Sequence, residues 1–407
     1  MGRLSRRLDP DIPQSFYVLM GGRFVNLVGN SLVFPFMTIY LAARLHAPMP
    51  VVGLVMTVYG LAQVSAQLVG GILSDTWGRR KVMILSLTVG PLFTVAVGLA
   101  HNTWLLLLAL VLMGMTVPLF QPASMAMVGD LVPSAKLSQA YSLMRMASNA
   151  GIIIGPMIGG FLADRSFFLI FFFDALSMLS YLGLILFFIQ DAARAPLQPR
   201  TGTPSGIRSI TQDRAFVWFA TFWGLTGMVY TQLYQVVPLY LHLDLHDPAS
   251  RFGYLAAENA VLVLTLQWPI TRLTRHASPT RLMALGSLFY GLGFLVMTLS
   301  THMLGFGMAV LVITIGENII NPAASTWVAR RSPEHLRGRY MGLFGLANRT
   351  GSALGPTLGG SLLTMGAPVW LYTTAAGGGL VSGSFWQFAR WEKAAEEAPP
   401  TEDSLVT

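Results

Sequence analysis

The sequence predicts an all-α polytopic membrane protein, with twelve transmembrane helices in two parallel-repeat six-helix bundles. Three observations predict it. Of 407 residues, 53% are hydrophobic and only 11% are charged, against about 25% charged in soluble globular proteins. Most of the surface therefore does not face water. Polar punctuation divides the chain into apolar stretches of about 20 residues or more, the length that carries a helix across the hydrocarbon. Only helices and closed barrels satisfy their backbone in lipid, and barrel strands would give short alternating segments instead. Finally, the two halves of the chain match each other at an offset of 200 residues.

The first six spans lie at 16–43, 51–74, 82–100, 103–128, 139–163 and 166–190. The second six lie at 215–242, 252–274, 281–300, 303–329, 338–365 and 368–390. Before span 1, MGRLSRRLDPDIPQ is a basic leader, and the apolar segment after it is too long for a signal-peptide core. Between the halves, residues 191–214 are rich in Pro, Gly, Ser and Arg, a linker composition. The expected organisation is a first bundle over 1–190, a cytosolic linker over 191–214, a second bundle over 215–392 and a disordered, polar cytosolic tail over 393–407.

The 26 Lys and Arg fix the orientation. An even number of spans puts both termini on one side. The termini and alternate loops on that side hold twenty of them, against Arg44, Arg165 and Arg251 opposite and Arg23, Arg145 and Arg349 within spans. Positive loops stay inside, so both termini are expected in the cytoplasm. The basic balance is thus topological, with some attraction to anionic lipid, and nucleic acid is not an expected partner. There is no cysteine, which excludes disulfides and thiolate metal sites. No HExxH or GxSxG pattern occurs and the seven His, without Cys, give no clustered metal ligands, so no catalytic residue, metal or cofactor is expected.

The repeat is carried by Gly and Pro. Gly151, Gly155, Pro156, Gly159 and Gly160 (GIIIGPMIGG) recur as Gly351, Gly355, Pro356, Gly359 and Gly360 (GSALGPTLGG). Gly53 recurs as Gly253 and Pro133 as Pro333. Two six-helix units in the same orientation are related by an axis along the membrane normal, a transporter architecture with its substrate site near the midplane.

GILSDTWGRRKVM, residues 71–83, resembles the signature between spans 2 and 3 of the major facilitator superfamily, with Gly71, Asp75, Gly78, Arg79 and Arg80 in matching places. GIIIGPMIGG resembles the span-5 signature of its antiporters. Within the superfamily the chain is similar to the twelve-span drug:proton antiporters, and TIGENIINPA in span 10 resembles a segment that carries an acid in some multidrug exporters. Thr76 stands where the loop signature often has Arg, span 4 lacks a membrane Arg, and the span-5 signature recurs in span 11, which points to helix packing rather than to antiport. The resemblance implies the major facilitator fold and a secondary active transporter working by alternating access, without enzymatic activity. It implies proton-coupled export of small amphipathic or drug-like compounds, with a specific metabolite, a sugar or an organic ion, as the alternative substrate. Small-molecule substrate, protons and the bilayer are the expected partners of a monomer in the bacterial inner membrane.

Asp75 is a lone acid among cations and does not help orientation. A carboxylate there accepts hydrogen bonds from a helix N-terminus, and the resemblance implies that this helix is span 11, making Asp75 a gate. Gly78 lets the loop turn. Arg79 or Arg80 is expected to pair with Asp130, while Lys81 serves orientation. Charges inside spans are costly and mark functional positions. Glu317, near the middle of span 10, is the first candidate for proton coupling, with Arg349 in span 11 as its partner and Glu258 in span 8 as a second candidate. Arg23, Asn26 and Asn30 share a face of span 1 and are expected to line the substrate cavity with Arg145, Asn318 and the span-7 pair Tyr230 and Tyr234. Asp174 in span 6, an outer helix in this scheme, reads as structural.

Overall fold

The computed structural model describes residues 11–133, 136–189, 210–300, 302–333 and 336–397. Among them every regular element is a helix. Spans 1 to 6 are Gln14–Leu45, Met49–Trp77, Arg79–Leu99, Thr103–Leu131, Leu137–Arg165 and Phe167–Phe188. Span 7 is Arg214–Gln235 continued by Val237–Leu243, and spans 8 to 12 are Ala249–Thr274, Pro279–Thr298, Met303–Arg331, Arg337–Leu363 and Ala367–Glu397. Eight of these, spans 1–6, 9 and 10, are long and apolar enough to cross a membrane by length and composition alone. Residues 191–209 of the linker reading and 398–407 of the tail reading lie outside the described residues. Span 12 continues to Glu397, past the apolar segment, because WEKAAEE is built of helix formers.

Spans 1, 4 and 7 are each interrupted. A 3₁₀ turn at Phe34–Phe36 carries Pro35, another at Val117–Leu119 carries Pro118, and Pro238 follows the break after Gln235. Proline lacks the N–H of the helical ladder and its ring clashes with the carbonyl four residues back, so the helix bends at these points. The repeat is visible in the backbone as well. Among the described residues two non-glycine positions have positive φ, His46 at 48° and His246 at 55°. They are 200 residues apart, just past the ends of spans 1 and 7.

The chain gathers into two compact units. The first holds spans 1–6 together with residues 231–260 and 352–367. Its core includes Phe16, Met83, Met127, Met144 and Tyr181, with span 1 laid against spans 5 and 6, and span 3 against span 6. The second unit holds span 7 up to Tyr230, Val261–Gly351 and span 12 from Pro368. In it the backbones of spans 9 and 10 nearly touch: a Cβ on Gly316 would lie 2.6 Å from the Gly286 carbonyl oxygen. Aromatic stacks tie spans 7, 10, 11 and 12 together there, with ring centroids 4.5 Å apart for Phe219 and Trp327, 5.1 Å for Trp223 and Phe344, and 4.4 Å for Trp218 and Phe388. These units cut across the bundles read at 1–190 and 215–392, because residues 231–260 and 352–367 pack on spans 1, 2 and 5.

Candidate functional site

The packing of those two segments follows from the repeated glycines. In span 5, Gly151, Gly155 and Gly159 face span 1, where a Cβ would meet Leu27, Ser31 and Leu32, while Gly160 faces span 8, 2.8 Å from the Ser250 Cα. In span 11, Gly351 and Gly359 face span 7 at Gly224 and Gln232, while Gly360 faces span 2, 2.7 Å from the Met49 carbonyl oxygen. The pattern is reciprocal: Gly253 of span 8 would place a Cβ 2.9 Å from the Pro156 carbonyl oxygen, and Gly53 of span 2 abuts that of Pro356. Two seams result, span 5 on span 8 and span 11 on span 2, related by the 200-residue repeat. Both lie within the first unit, at the Arg165 end of span 5 and the Met49 end of span 2.

Hydrogen bonds reinforce these seams. The Thr57 hydroxyl donates to the Ala353 carbonyl at 2.8 Å and lies 2.6 Å from the Thr357 hydroxyl. Beside the seams, Gln232 of span 7 donates from Nε2 to the Gly355 carbonyl of span 11 at 3.0 Å, and Gln235 to that of Phe34 in span 1 at 3.3 Å. Asp164, the penultimate residue of span 5, accepts the Ala249 and Ser250 N–H groups at 2.6 and 3.2 Å. Its carboxylate thereby caps span 8, at the helix end where partial positive charge favours an anion. Pro248, just before the helix, has no side-chain acceptor to offer. Sequence reasoning missed Asp164, since nothing local in the chain links it to a helix start 85 residues away.

At the other end of span 2, the helix stops at Trp77 and span 3 begins at Arg79, so Gly78 alone is the link. Its φ of 109° and ψ of 142° lie where L side chains are strained. Gly71 has open space beside it. Arg79 pairs with Asp130 and donates to the Ala126 carbonyl at 2.5 Å, tying the start of span 3 to the end of span 4. Arg80 donates to the Leu186 carbonyl at 3.2 Å. Asp75 is exposed and has contacts of its own.

The in-span residues fall in different settings. Arg23 is buried and donates from Nε to the Ser148 hydroxyl at 2.8 Å, which joins spans 1 and 5. Asn26 and Asn30 are half-buried and Arg145 is exposed. Glu258 is half-buried, beside Asn259, whose amide oxygen accepts from the Tyr234 hydroxyl at 2.6 Å. Tyr230 packs on Tyr290 of span 9, ring centroids 5.4 Å apart. Glu317 is half-buried, Arg349 exposed, and each has interactions. Asn318 is buried, and among the described residues neither side-chain amide atom has a hydrogen-bond partner. A further ion pair joins span 7 to span 10: Asp213 accepts from Arg331 at 2.7 Å, from the Tyr340 hydroxyl at 3.1 Å and from the Phe216 N–H at 3.1 Å.

A family model described as Major Facilitator Superfamily matches residues 19–356 and 245–405. A multidrug resistance protein, MdtH of Yersinia pestis (strain Pestoides F), is 28% identical over 395 residues, covering 92% of this chain and 94% of its own. The MFS-type transporter YqjV of Bacillus subtilis (strain 168) is 26% identical over 387 residues, 93% of each chain. Among solved structures, the nucleoside transporter NupG superposes with a TM-score of 0.80 at 15% identity, covering 92% of this chain and all of that one. A peptide transporter, POT, in complex with sulfate superposes with a TM-score of 0.79 at 16% identity, covering 93% and 94%. These two likenesses concern the fold. Spans, repeat, glycine seams and the family match agree: the chain is a transporter that belongs to the Major Facilitator Superfamily.

Proposed function

We propose that this protein exports small amphipathic or drug-like compounds in exchange for protons, by alternating access, from the bacterial inner membrane with both termini in the cytoplasm. The observation that carries the alternating-access reading is the pair of repeat-related seams, Gly53 on Pro356 and Gly253 on Pro156. At the glycines they bring backbone against backbone, with a few side-chain hydrogen bonds beside the contact. Such a contact closes tightly and parts without unthreading long side chains, as a two-state device requires. The direction and substrate class are supported by the name of the MdtH relative, a multidrug resistance protein.

In this reading Glu317 carries the coupling proton with Arg349 as its partner, and Glu258 is a second candidate. A carboxyl shielded from water and set near a cation is one whose protonation responds to a change of access. Asp75 is the gate acid of the loop between spans 2 and 3, and Tyr234, Asn26 and Asn30 contribute to substrate binding. The deciding experiment is transport by the purified protein in proteoliposomes, against a panel of dyes and metabolites, with and without a pH gradient. Gradient-driven movement of cationic dyes supports the proposal. Movement of a single sugar or organic ion, with dyes ignored, replaces it by the metabolite alternative.

A further inference from the structure

Asp174 stands in the apolar run FFLIFFFDALSML of span 6 and is fully buried. Neither carboxylate oxygen has a hydrogen-bond partner among the described residues. The carboxylate is pressed against bare backbone of span 1: a Cβ on Gly29 would lie 3.0 Å from Oδ1 and would collide with the Ser177 side chain. Ser177 does not serve the acid, because its hydroxyl donates to the Asp174 backbone carbonyl at 2.7 Å.

Among the described residues no cation pairs with it. Arg23 is six residues before Gly29, about 9 Å along the helix axis, and is occupied by Ser148. Span 3 has no ionisable side chain between Val82 and Leu99. Span 5 carries Tyr141, Arg145, Asp164 and Arg165, none of them paired with Asp174. From span 2, Tyr59 lies within electrostatic reach of the acid, and it brings no positive charge. Tyr181, two turns further along span 6, donates to the Leu19 carbonyl.

An isolated ionised carboxylate in such surroundings is opposed by its lost hydration, with nothing to replace it. A metal cation is no answer, since hard cations take six or more oxygen ligands and no cluster of three ligating side chains occurs among the described residues. A proton needs one oxygen. We propose that Asp174 is a proton-binding site inside the first unit, occupied in this conformation and emptied when water reaches the seam between Gly29 of span 1 and Ser177 of span 6. Its use in transport rests on the proton exchange proposed above; its occupancy by a proton does not.

The test is infrared difference spectroscopy on the full-length protein in liposomes, grown with and without carboxyl-labelled aspartate, in H2O and D2O at neutral pH. The expected result is a protonated-carboxyl C=O band that moves with the aspartate label, is retained in Glu317→Gln and is lost in Asp174→Asn. A wild-type spectrum with no label-sensitive protonated band overturns the proposal without recourse to any variant. A band that persists unchanged in Asp174→Asn overturns it too. If the band behaves as expected while the transport assay shows no dependence on a pH gradient, proton exchange fails and the proton site stands.

Discussion

Asp164 of span 5 holds the first N–H group of span 8, that of Ala249, at 2.6 Å, and so one carboxylate clamps two helices that meet across the repeat. Thr364 stands at the repeat-related position, so this clamp is built once. A capping acid contributes about 0.5–2 kcal/mol. In Asp164→Ala the ratio of open to closed forms at this end is expected to rise about two- to thirtyfold, since 1.4 kcal/mol is a factor of ten. Spin-label distances between residues near 160 and 250 check it, and unchanged distributions would refute it.

The glycine seams are intolerant of bulk. In Gly53→Val the new side chain runs into the Pro356 carbonyl oxygen, and overpacking of this kind costs roughly 1–3 kcal/mol. The closed form should be depleted and transport lost, with expression retained. Gly253→Val should act in the same sense through Pro156, more weakly because its approach is looser, at 2.9 Å. Transport assays of both variants beside Gly71→Ala, where there is open space, separate packing from general damage.

Gly78→Ala should lower thermal stability. A non-glycine residue held at φ 109° carries strain of about 1–3 kcal/mol. Asp130→Asn, by contrast, should have a small effect, because the Arg79 and Asp130 side chains keep 21% and 35% of their surface exposed and such pairs contribute about 0–1 kcal/mol. A melting-temperature comparison in one detergent checks the order of the two.

Asp213 gives a pH signature outside the membrane. Burial pushes its carboxyl up, but hydrogen bonds from Arg331, the Phe216 N–H and Tyr340, with the Arg331 charge, leave it below the usual carboxylate range. A group depressed in the folded state stabilises above its unfolded value, about 3.9 for Asp, and loses that contribution as pH falls through the folded value. The difference in stability between wild type and Asp213→Asn should therefore be constant from neutral pH down to about 5 and shrink on further acidification. A difference that grows toward low pH would contradict the assignment.

Glu317→Gln should abolish transport driven by a pH gradient while the protein still inserts. Efflux from vesicles at several external pH values is the measurement. Undiminished gradient dependence would remove Glu317 from the coupling step.

Much of the fold was legible because lipid imposes a length and a composition on each span. The 200-residue offset was legible because Gly and Pro survive where backbones touch: Gly53, Pro156, Gly253 and Pro356 all sit at seams. What the seams join was not legible, since the glycines do not name the carbonyls they meet. Asp174 read as an ordinary residue of an outer helix, because FFLIFFFDALSML is apolar all round and gives no face to orient. The structure buries it completely. Arg23, whose shared face with Asn26 and Asn30 pointed to a cavity, donates to the Ser148 hydroxyl of span 5, a partner 125 residues away that its own segment does not reveal. The bond from Arg331 to Asp213 was hidden because 118 residues separate the partners.

The single-residue joint at Gly78 has a mechanical counterpart. Spans 8 and 9 are connected by four residues, Arg275 to Ser278, where spans 2 and 3 have one. A displacement of the end of span 2 is handed on to the start of span 3, whose first Cα lies at most two steps of about 3.8 Å away, whereas the longer tether absorbs part of any displacement of span 8. Duplicated in sequence, the two halves are thus unequal as levers, one stiff and one slack at the corresponding elbow.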